Sequence, residues 1–352
     1  MASSRLTQVP IFDGHNDALF RLFRAGGGPA ALFGEDSGHV NIPAAQRGGF
    51  AGGFFAMFAL GAGRGLDFSI FATPPYDAPL PEPLDQPEAL CQTIAQAGIA
   101  RQLETAGLVR FCTSGADVRR AMQDEVMALV LHLEGAEAIG GDLLELDALY
   151  ALGLRSLGPV WSRPTIFGHG VPFRFPSDGD IGPGLTEPGK RLVKRCGDLG
   201  MVVDNSHLNE RGFWDVAELG LPLVATHSNA HHISPSARNL TDEQLRSVGQ
   251  TDGMVGLNYG TMFLHPDGSA GRKGALDHVI RHLDHMISLA GEDHVGLGSD
   301  FDGAPMPEGL DGAGTLSVLR NLMADAGYGT ALIEKICHGN WLALMDRVMK
   351  AH

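Results

Sequence analysis

The sequence predicts a single (β/α)8 barrel, an α/β fold of the TIM-barrel type, and three observations carry that reading. Eight short β-rich runs alternate with helical periodicities along 352 residues, the pattern of βαβ units around a parallel sheet. The length suits one barrel of ordinary size and no stretch has the composition of an interdomain linker, so residues 1–352 are read as one domain. The most loop-like, Gly/Pro-rich segments, 61–87, 162–189 and 302–314, each follow the C-terminal end of a strand, the face on which barrel sites are built.

Taken in order, the strands are 9–15, 49–60, 127–134, 154–161, 201–207, 222–228, 254–259 and 294–300. Helical periodicity marks 85–106, 116–123, 143–151, 187–199, 210–218, 242–249 and 275–290, with an additional strand at 109–112. Two further helices, 317–326 and 333–349, follow the eighth strand. A doubly wound open sheet is the alternative architecture. It often carries a glycine-rich phosphate turn after its first strand, whereas here that strand ends in Gly14-His15-Asn16-Asp17.

With 44% hydrophobic and 19% charged residues the chain is globular and not disordered. Its net charge of −15 repels phosphate backbones and anionic lipid, which excludes nucleic acid and membrane surfaces as expected partners. Four dispersed cysteines, Cys91, Cys112, Cys196 and Cys337, form no C-x-x-C pair and fit a reducing compartment. The first ten residues lack an apolar leader, and no run approaches the roughly 18 apolar residues of a membrane span. The expected location is the cytoplasm.

Chemistry-bearing residues gather at the strand ends. His15 and Asp17 lie two apart, so an extended backbone points both to one face, where they can grip one ion. Glu134 ends an almost wholly apolar run; such a carboxylate needs an ion, a partner or a helix to cap. His132 shares its parity but lies deeper, as a core or supporting histidine. His207, His227 and Asp300 close three further strands. One strand-end histidine is more often a satisfied surface residue than a ligand. Here His15, Glu134, His207, His227 and Asp300 fall on five separate strands and on one rim. Three histidines with two or three carboxylates and no thiolate suit zinc or a similar divalent ion, and they exceed one tetrahedral shell. Two metals sharing a carboxylate account for the surplus. Such a pair, about 3.5 to 4 Å apart, can hold a bridging hydroxide, because metal binding lowers the pKa of water towards about 7.

Several motifs occur in fixed order: Ile11-Phe-Asp-Gly-His-Asn-Asp17, Leu133-Glu-Gly135, Asp204-Asn-Ser-His207, Thr226-His-Ser228, Ser236-Ala-Arg-Asn239 and Gly298-Ser-Asp-Phe-Asp-Gly303. Gly184-Leu-Thr-Glu-Pro-Gly-Lys190 and His338-Gly-Asn-Trp341 accompany them. On these residues the chain, from about residue 10 to residue 347, resembles the membrane (renal) dipeptidase family of zinc peptidases within the amidohydrolase superfamily. The resemblance implies that His15 and Asp17 hold one zinc, that His207 and His227 hold a second, and that Glu134 bridges them. It implies that Asp300 takes a proton from the bridging water and passes it to the leaving amine. Arg238 matches the arginine that binds the C-terminal carboxylate of a dipeptide, a task suited to its forked guanidinium; the alternative is a surface loop arginine.

The chain also departs from the family. Where relatives usually place a carbonyl-polarising histidine after the fourth strand, this sequence has Trp161, in Gly158-Pro-Val-Trp-Ser-Arg163. His169, in Phe167-Gly-His-Gly170, is either a substitute donor in the same loop or a structural histidine. Asn205 stands where relatives carry an apolar residue, and its parity with His207 predicts a polar pocket contact. Some relatives are secreted and lipid-anchored; neither signal is read here.

The leading expectation is therefore a cytoplasmic dipeptidase with two Zn2+ per chain, or other divalent ions, acting through a metal-bridging hydroxide on small dipeptides. The family tolerates either hand at the C-terminal residue, so a D residue there is compatible. A homodimer is left open as an assembly. One alternative keeps the metal centre but hydrolyses N-acyl amino acids or other small amides. Another is a barrel that binds metal or ligand without turnover; it would show a lost ligand or a missing Asp300, and neither is lost.

Overall fold

The computed structural model describes residues 9–61 and 67–349. Residues 1–8, where an apolar leader was not found, lie outside the described residues, as do 62–66 of the first loop-like segment and 350–352. Eleven strands are present among the described residues: β1 (Ile11–Asn16), β2 (Phe50–Phe58), β3 (Tyr76–Ala78), β4 (Val109–Phe111), β5 (Met127–Glu134), β6 (Leu154–Gly158), β7 (Phe173–Phe175), β8 (Val202–Val203), β9 (Val224–Ala225), β10 (Met254–Leu257) and β11 (Val295–Leu297).

Eight of these make the barrel, one overlapping each of the eight predicted segments. Parallel ladders run β1-β2-β5-β6-β8 and β11-β10-β9. Single parallel bridges, Asp204 to Val224 and Asn16 to Phe301, join the two sheets into a closed ring. β4 pairs with the start of β5, as the extra strand predicted at 109–112. The two sheets meet at seams where regular strand is short: 222–228 was expected to be strand and only β9 is. There side chains supplement a backbone bond from Asn205 N to Val224 O at 2.7 Å. The buried Asp204 carboxylate accepts from Ser206 N, Ser206 Oγ and Thr226 N at 2.6 to 3.0 Å and from Thr226 Oγ1 at 2.7 Å. At the other seam, buried Asp13 accepts Ser299 N and Ser299 Oγ, both at 2.7 Å.

The barrel interior is a packed core of Phe12, Phe54, Val130, Val202, Val224 and Met254, completed by Trp341 from the helix Asn340–Val348. The Trp341 indole N–H donates to Leu297 O at 2.9 Å. Room for this ring comes from glycines: a Cβ on Gly14 would stand 2.5 Å from it, and one on Gly296 2.7 Å. Outside the strands, a second and larger apolar layer packs the helices onto the barrel. Those helices begin on side-chain caps. Ser114, Thr186, Asn209 and Thr241 each accept a backbone N–H three residues on, and Thr241 with Gln244 completes a capping box.

All the predicted helices occur, with 275–290 and 333–349 each divided into shorter turns. Sequence periodicity missed three short helices between β1 and β2, Ala18–Ala25, Pro29–Gly34 and Ile42–Gly48, and the helix Thr261–Leu264. It also missed the antiparallel pair β3–β7, formed between two loop-like segments at the rim. Pieces this short carry too few turns or alternations to stand out from loop composition. Among the described residues no helix is long and apolar enough to cross a membrane.

If Asp204 closes its seam, Asp204→Ala leaves buried donors on Ser206 and Thr226 without their acceptor. The expected loss of stability in chemical unfolding is about 3 kcal/mol or more. An unfolding midpoint unchanged at equal metal loading would contradict this role.

Candidate active site

The C-terminal ends of the strands converge on one cluster. β1 slips register against β2 between Asp13 and Asn16. There Gly14 faces Trp341, while His15 stacks on His227 with ring centroids 3.9 Å apart. Glu134 Oε1 lies 3.0 Å from His207 Nε2, 3.6 Å from His227 Nε2 and 3.7 Å from His15 Nε2. Asp17 Oδ2 is 3.5 Å from His15 Nε2. The close groups form two sets that share Glu134: His15, Asp17 and Glu134, and Glu134, His207 and His227. A third set, His15, His227 and Asp204, overlaps them, but the Asp204 oxygens already accept from Ser206 and Thr226. Glu134 caps no helix, since the next one begins at Leu144.

The ring nitrogens facing away from the cluster are held: His207 Nδ1 is 2.9 Å from Ser162 Oγ, and His227 Nδ1 is 2.8 Å from Thr226 Oγ1. This fixes both imidazoles with Nε2 towards Glu134. Burial, reinforced by the cations Arg238 and His15, holds His207 and His227 well below the ordinary histidine range, so both are neutral with a lone pair to donate. His15 is opposite in sign. Burial alone would lower its pKa, yet the pull of Glu134, Asp17 and Asp300 raises it to about 10. Burial pushes Glu134 well above the usual carboxylate range, and the neighbouring Asp17, Asp300 and Asp204 push the same way.

These residues fit a metal. Both ring nitrogens of His15 are buried without a hydrogen-bond partner. Four carboxyl groups, Asp17, Glu134, Asp204 and Asp300, stand together largely buried, where unpaired charge is costly. The donors are imidazole nitrogen and carboxylate oxygen without sulfur, a set that suits zinc and similar divalent ions.

Asp300 follows β11 in a left-handed turn with φ of 59°, a conformation Asp adopts more readily than most residues. Its Oδ2 accepts from Asn258 Nδ2 at 2.9 Å, and burial raises its pKa. Gly303, in the same turn, leaves room for both carboxylates: a Cβ there would lie 2.1 Å from Asp17 Oδ2 and 2.5 Å from Asp300 Oδ1. Arg238 is no surface arginine, being 3% exposed. It donates to Ser206 O, to His227 O at 3.3 Å and to Ser228 Oγ at 3.4 Å, while its Nε has no partner. Burial lowers its pKa to about 10, which leaves it cationic at neutral pH.

One cavity of about 270 Å3 opens over this cluster, lined by Asp17, Glu134, His207, Arg238 and Asp300 at its polar side. Trp161 also lines it, 5.8 Å from the His207 ring. The structure does not bring His169 or Asn205 there. The His169 ring packs over Gly182, whose Cβ would stand 2.3 Å from it. The Asn205 amide donates to Val224 O at 2.8 Å and Val203 O at 3.3 Å, so it serves the seam rather than the pocket. His132 lies beneath, 2.8 Å from Ser156 Oγ. Sequence reasoning missed the apolar wall made by Phe20, Phe58, Phe71, Phe173, Met262 and Phe263. Only Phe71 and Phe173 of these fall in the loop-like segments read from the sequence, so no single stretch signalled the wall.

A closed barrel with imidazoles and carboxylates on its C-terminal rim has a fold of the amidohydrolase type and the donor set of a metallohydrolase. The chain belongs to the membrane dipeptidase family, Peptidase family M19, whose model matches residues 2–352, and it is a metal-dependent dipeptidase. Two solved structures are similar over nearly the whole length. Dipeptidase AC, a metallopeptidase of family M19, is 47% identical with a TM-score of 0.94, covering 98% of this chain and 100% of its own. A metallopeptidase from Rhodobacter sphaeroides, liganded with a phosphinate mimic of the dipeptide L-Ala-D-Ala, is 47% identical with a TM-score of 0.95, covering 97% and 99%. A Klebsiella pneumoniae protein described as uncharacterized, from the pqqA 5' region, is 44% identical over 256 residues, 72% of this chain and 94% of its own.

Gly303→Ala is expected to force Asp17 and Asp300 apart. The variant should lose activity by on the order of tenfold or more, since small misplacements at a reacting centre are costly, while its thermal midpoint changes little. Full activity in this variant would show that the two carboxylates need no such approach.

Proposed function

We propose that the chain hydrolyses the peptide bond of small dipeptides, with the C-terminal residue of either hand, using two zinc ions per chain. His15 and Asp17 would hold one ion, His207 and His227 the other, and Glu134 both. What supports this reading is one observation: Arg238, only 3% exposed, lines the same cavity as Glu134 and Asp300. A cation fixed beside hydrolytic groups fits a substrate whose free carboxylate lies next to the scissile bond.

When bound, the ions supply Lewis acidity, which activates water and polarises the scissile carbonyl. The chain does the rest. Arg238 orients the substrate through its α-carboxylate. Asp300, held by Asn258 and raised in pKa, takes the proton of the attacking water and returns it to the leaving amine. Trp161 lines the cavity at the loop position where the family resemblance implies a histidine, and contributes shape rather than a titrating group. Residues 1–352 act as one catalytic domain, which the family match over 2–352 supports. A cytoplasmic setting is supported by four unpaired cysteines, three of them buried.

A second reading is favoured by Trp161: with no titrating histidine in that loop position, an N-acyl amino acid could take the place of the dipeptide, its carboxylate still on Arg238. Both readings meet in one experiment, with L-Ala-D-Ala, its C-terminal amide and N-acetyl-D-Ala given to the zinc-loaded enzyme and to Arg238→Met. The expected result is rapid cleavage of L-Ala-D-Ala, slow cleavage of the amide, and a loss in the variant of about 2 to 5 kcal/mol in kcat/KM for the free acid alone. Equal losses on acid and amide would make Arg238 structural. Faster cleavage of N-acetyl-D-Ala would favour the acyl reading.

A further inference from the structure

We infer that the enzyme selects dipeptides whose C-terminal residue carries a large apolar or aromatic side chain, received by an aromatic bay beside Arg238. The inference rests on the proposed role of Arg238 as carboxylate anchor, and adds which substrates that anchor serves.

The bay starts at the anchor. The Arg238 guanidinium carbon lies 5.4 Å from the centroid of Phe263. Phe263 stacks on Phe173 at 6.3 Å and 25°, and Phe173 meets Phe71 and Trp161 edge-on, both at 5.5 Å. Met262 completes the wall, and all five side chains line the cavity. Phe173 also comes within 6.3 Å of the His207 ring, so the wall reaches the hydrolytic cluster. The side chain of a C-terminal residue branches from the carbon that bears the carboxylate. A carboxylate on Arg238 therefore presents that side chain to Phe263 and Phe173 first.

The bay is built rather than incidental. Phe71, Phe173, Met262 and Phe263 belong, with Tyr76 and Phe175, to an apolar cluster of their own, separate from the barrel interior and from the layer beneath the helices. The β3–β7 ribbon supports it from behind, with Tyr76 edge-on to Phe71 at 4.9 Å. Such a wall keeps its shape when empty, so a ligand need not order it on binding. None of its five side chains is charged, and a polar or acidic side chain placed there loses hydration without gaining a partner. The cavity residues on the helix Ala18–Ala25 differ: there exposed Arg24 stands near Phe20. That side is left for the N-terminal residue.

The test measures kcat/KM of the zinc-loaded enzyme on L-Ala-D-Ala, L-Ala-D-Leu, L-Ala-D-Phe and L-Phe-D-Ala. D-Leu and D-Phe at the C-terminal position should exceed D-Ala by on the order of 10- to 100-fold, the range a hydrophobic pocket supplies, mainly through a lower KM. Phe173→Ala should shrink that ratio several-fold, and Phe173→Leu, which keeps the packing, should shrink it less. Equal or better use of L-Ala-D-Ala overturns the inference, as does a gain that follows L-Phe-D-Ala instead. A ratio unmoved in Phe173→Ala also overturns it. Cleavage of none of the four would defeat the dipeptidase reading itself, a result distinct from cleavage without preference.

Discussion

The barrel is closed twice by buried carboxylates, and the site depends on both closures. Backbone ladders hold β1-β2-β5-β6-β8 in one run and β9 to β11 in another, and among the described residues one isolated bridge spans each seam. Asp204 joins β8 to β9 through Thr226 N and Oγ1, and Asp13 joins β1 to β11 through Ser299. His207 and His227 leave from the two sides of the first seam, while His15 and Asp300 leave from the two sides of the second. Glu134, on the strand between, faces both pairs. Side-chain bonds, together with backbone bonds such as Asp300 N to His15 O at 3.0 Å, thus set the spacing of these groups.

The same arrangement explains the charges. Asp17, Glu134, Asp204 and Asp300 are all buried or nearly so, and the Arg238 guanidinium beside them is outnumbered by the carboxyl groups it faces. Asp204 has its own donors and so tolerates burial, its carboxyl held below the usual range by His132 and by its hydrogen bonds despite desolvation. Glu134 lacks that support and is driven upward. The group most in need of added positive charge is therefore the one shared by both ligand sets.

Much of this was legible in the sequence. Strand-end residues such as His15, Glu134, His207, His227 and Asp300 stand out because barrel geometry gives every strand the same kind of end. Side chains working through short loops were harder to read. Asn205 has the parity of a pocket residue, yet its amide is consumed by Val224 O at the seam, a demand that arises only from the tertiary pairing. His169 lies in the right loop, but the segment around Gly182 folds over its ring. The aromatic wall escaped notice because Phe173 and Phe263 are far apart in sequence and meet only across the rim.

The central claim, that Glu134 is shared by two ions on opposite sides of one cluster, is tested most directly by anomalous diffraction at the zinc edge on zinc-loaded crystals. Two peaks about 3.5 to 4 Å apart, one beside His15 and Asp17 and the other beside His207 and His227, with a Glu134 oxygen near each, are the predicted result. A single peak at full activity, or two peaks with Glu134 touching only one, would contradict it.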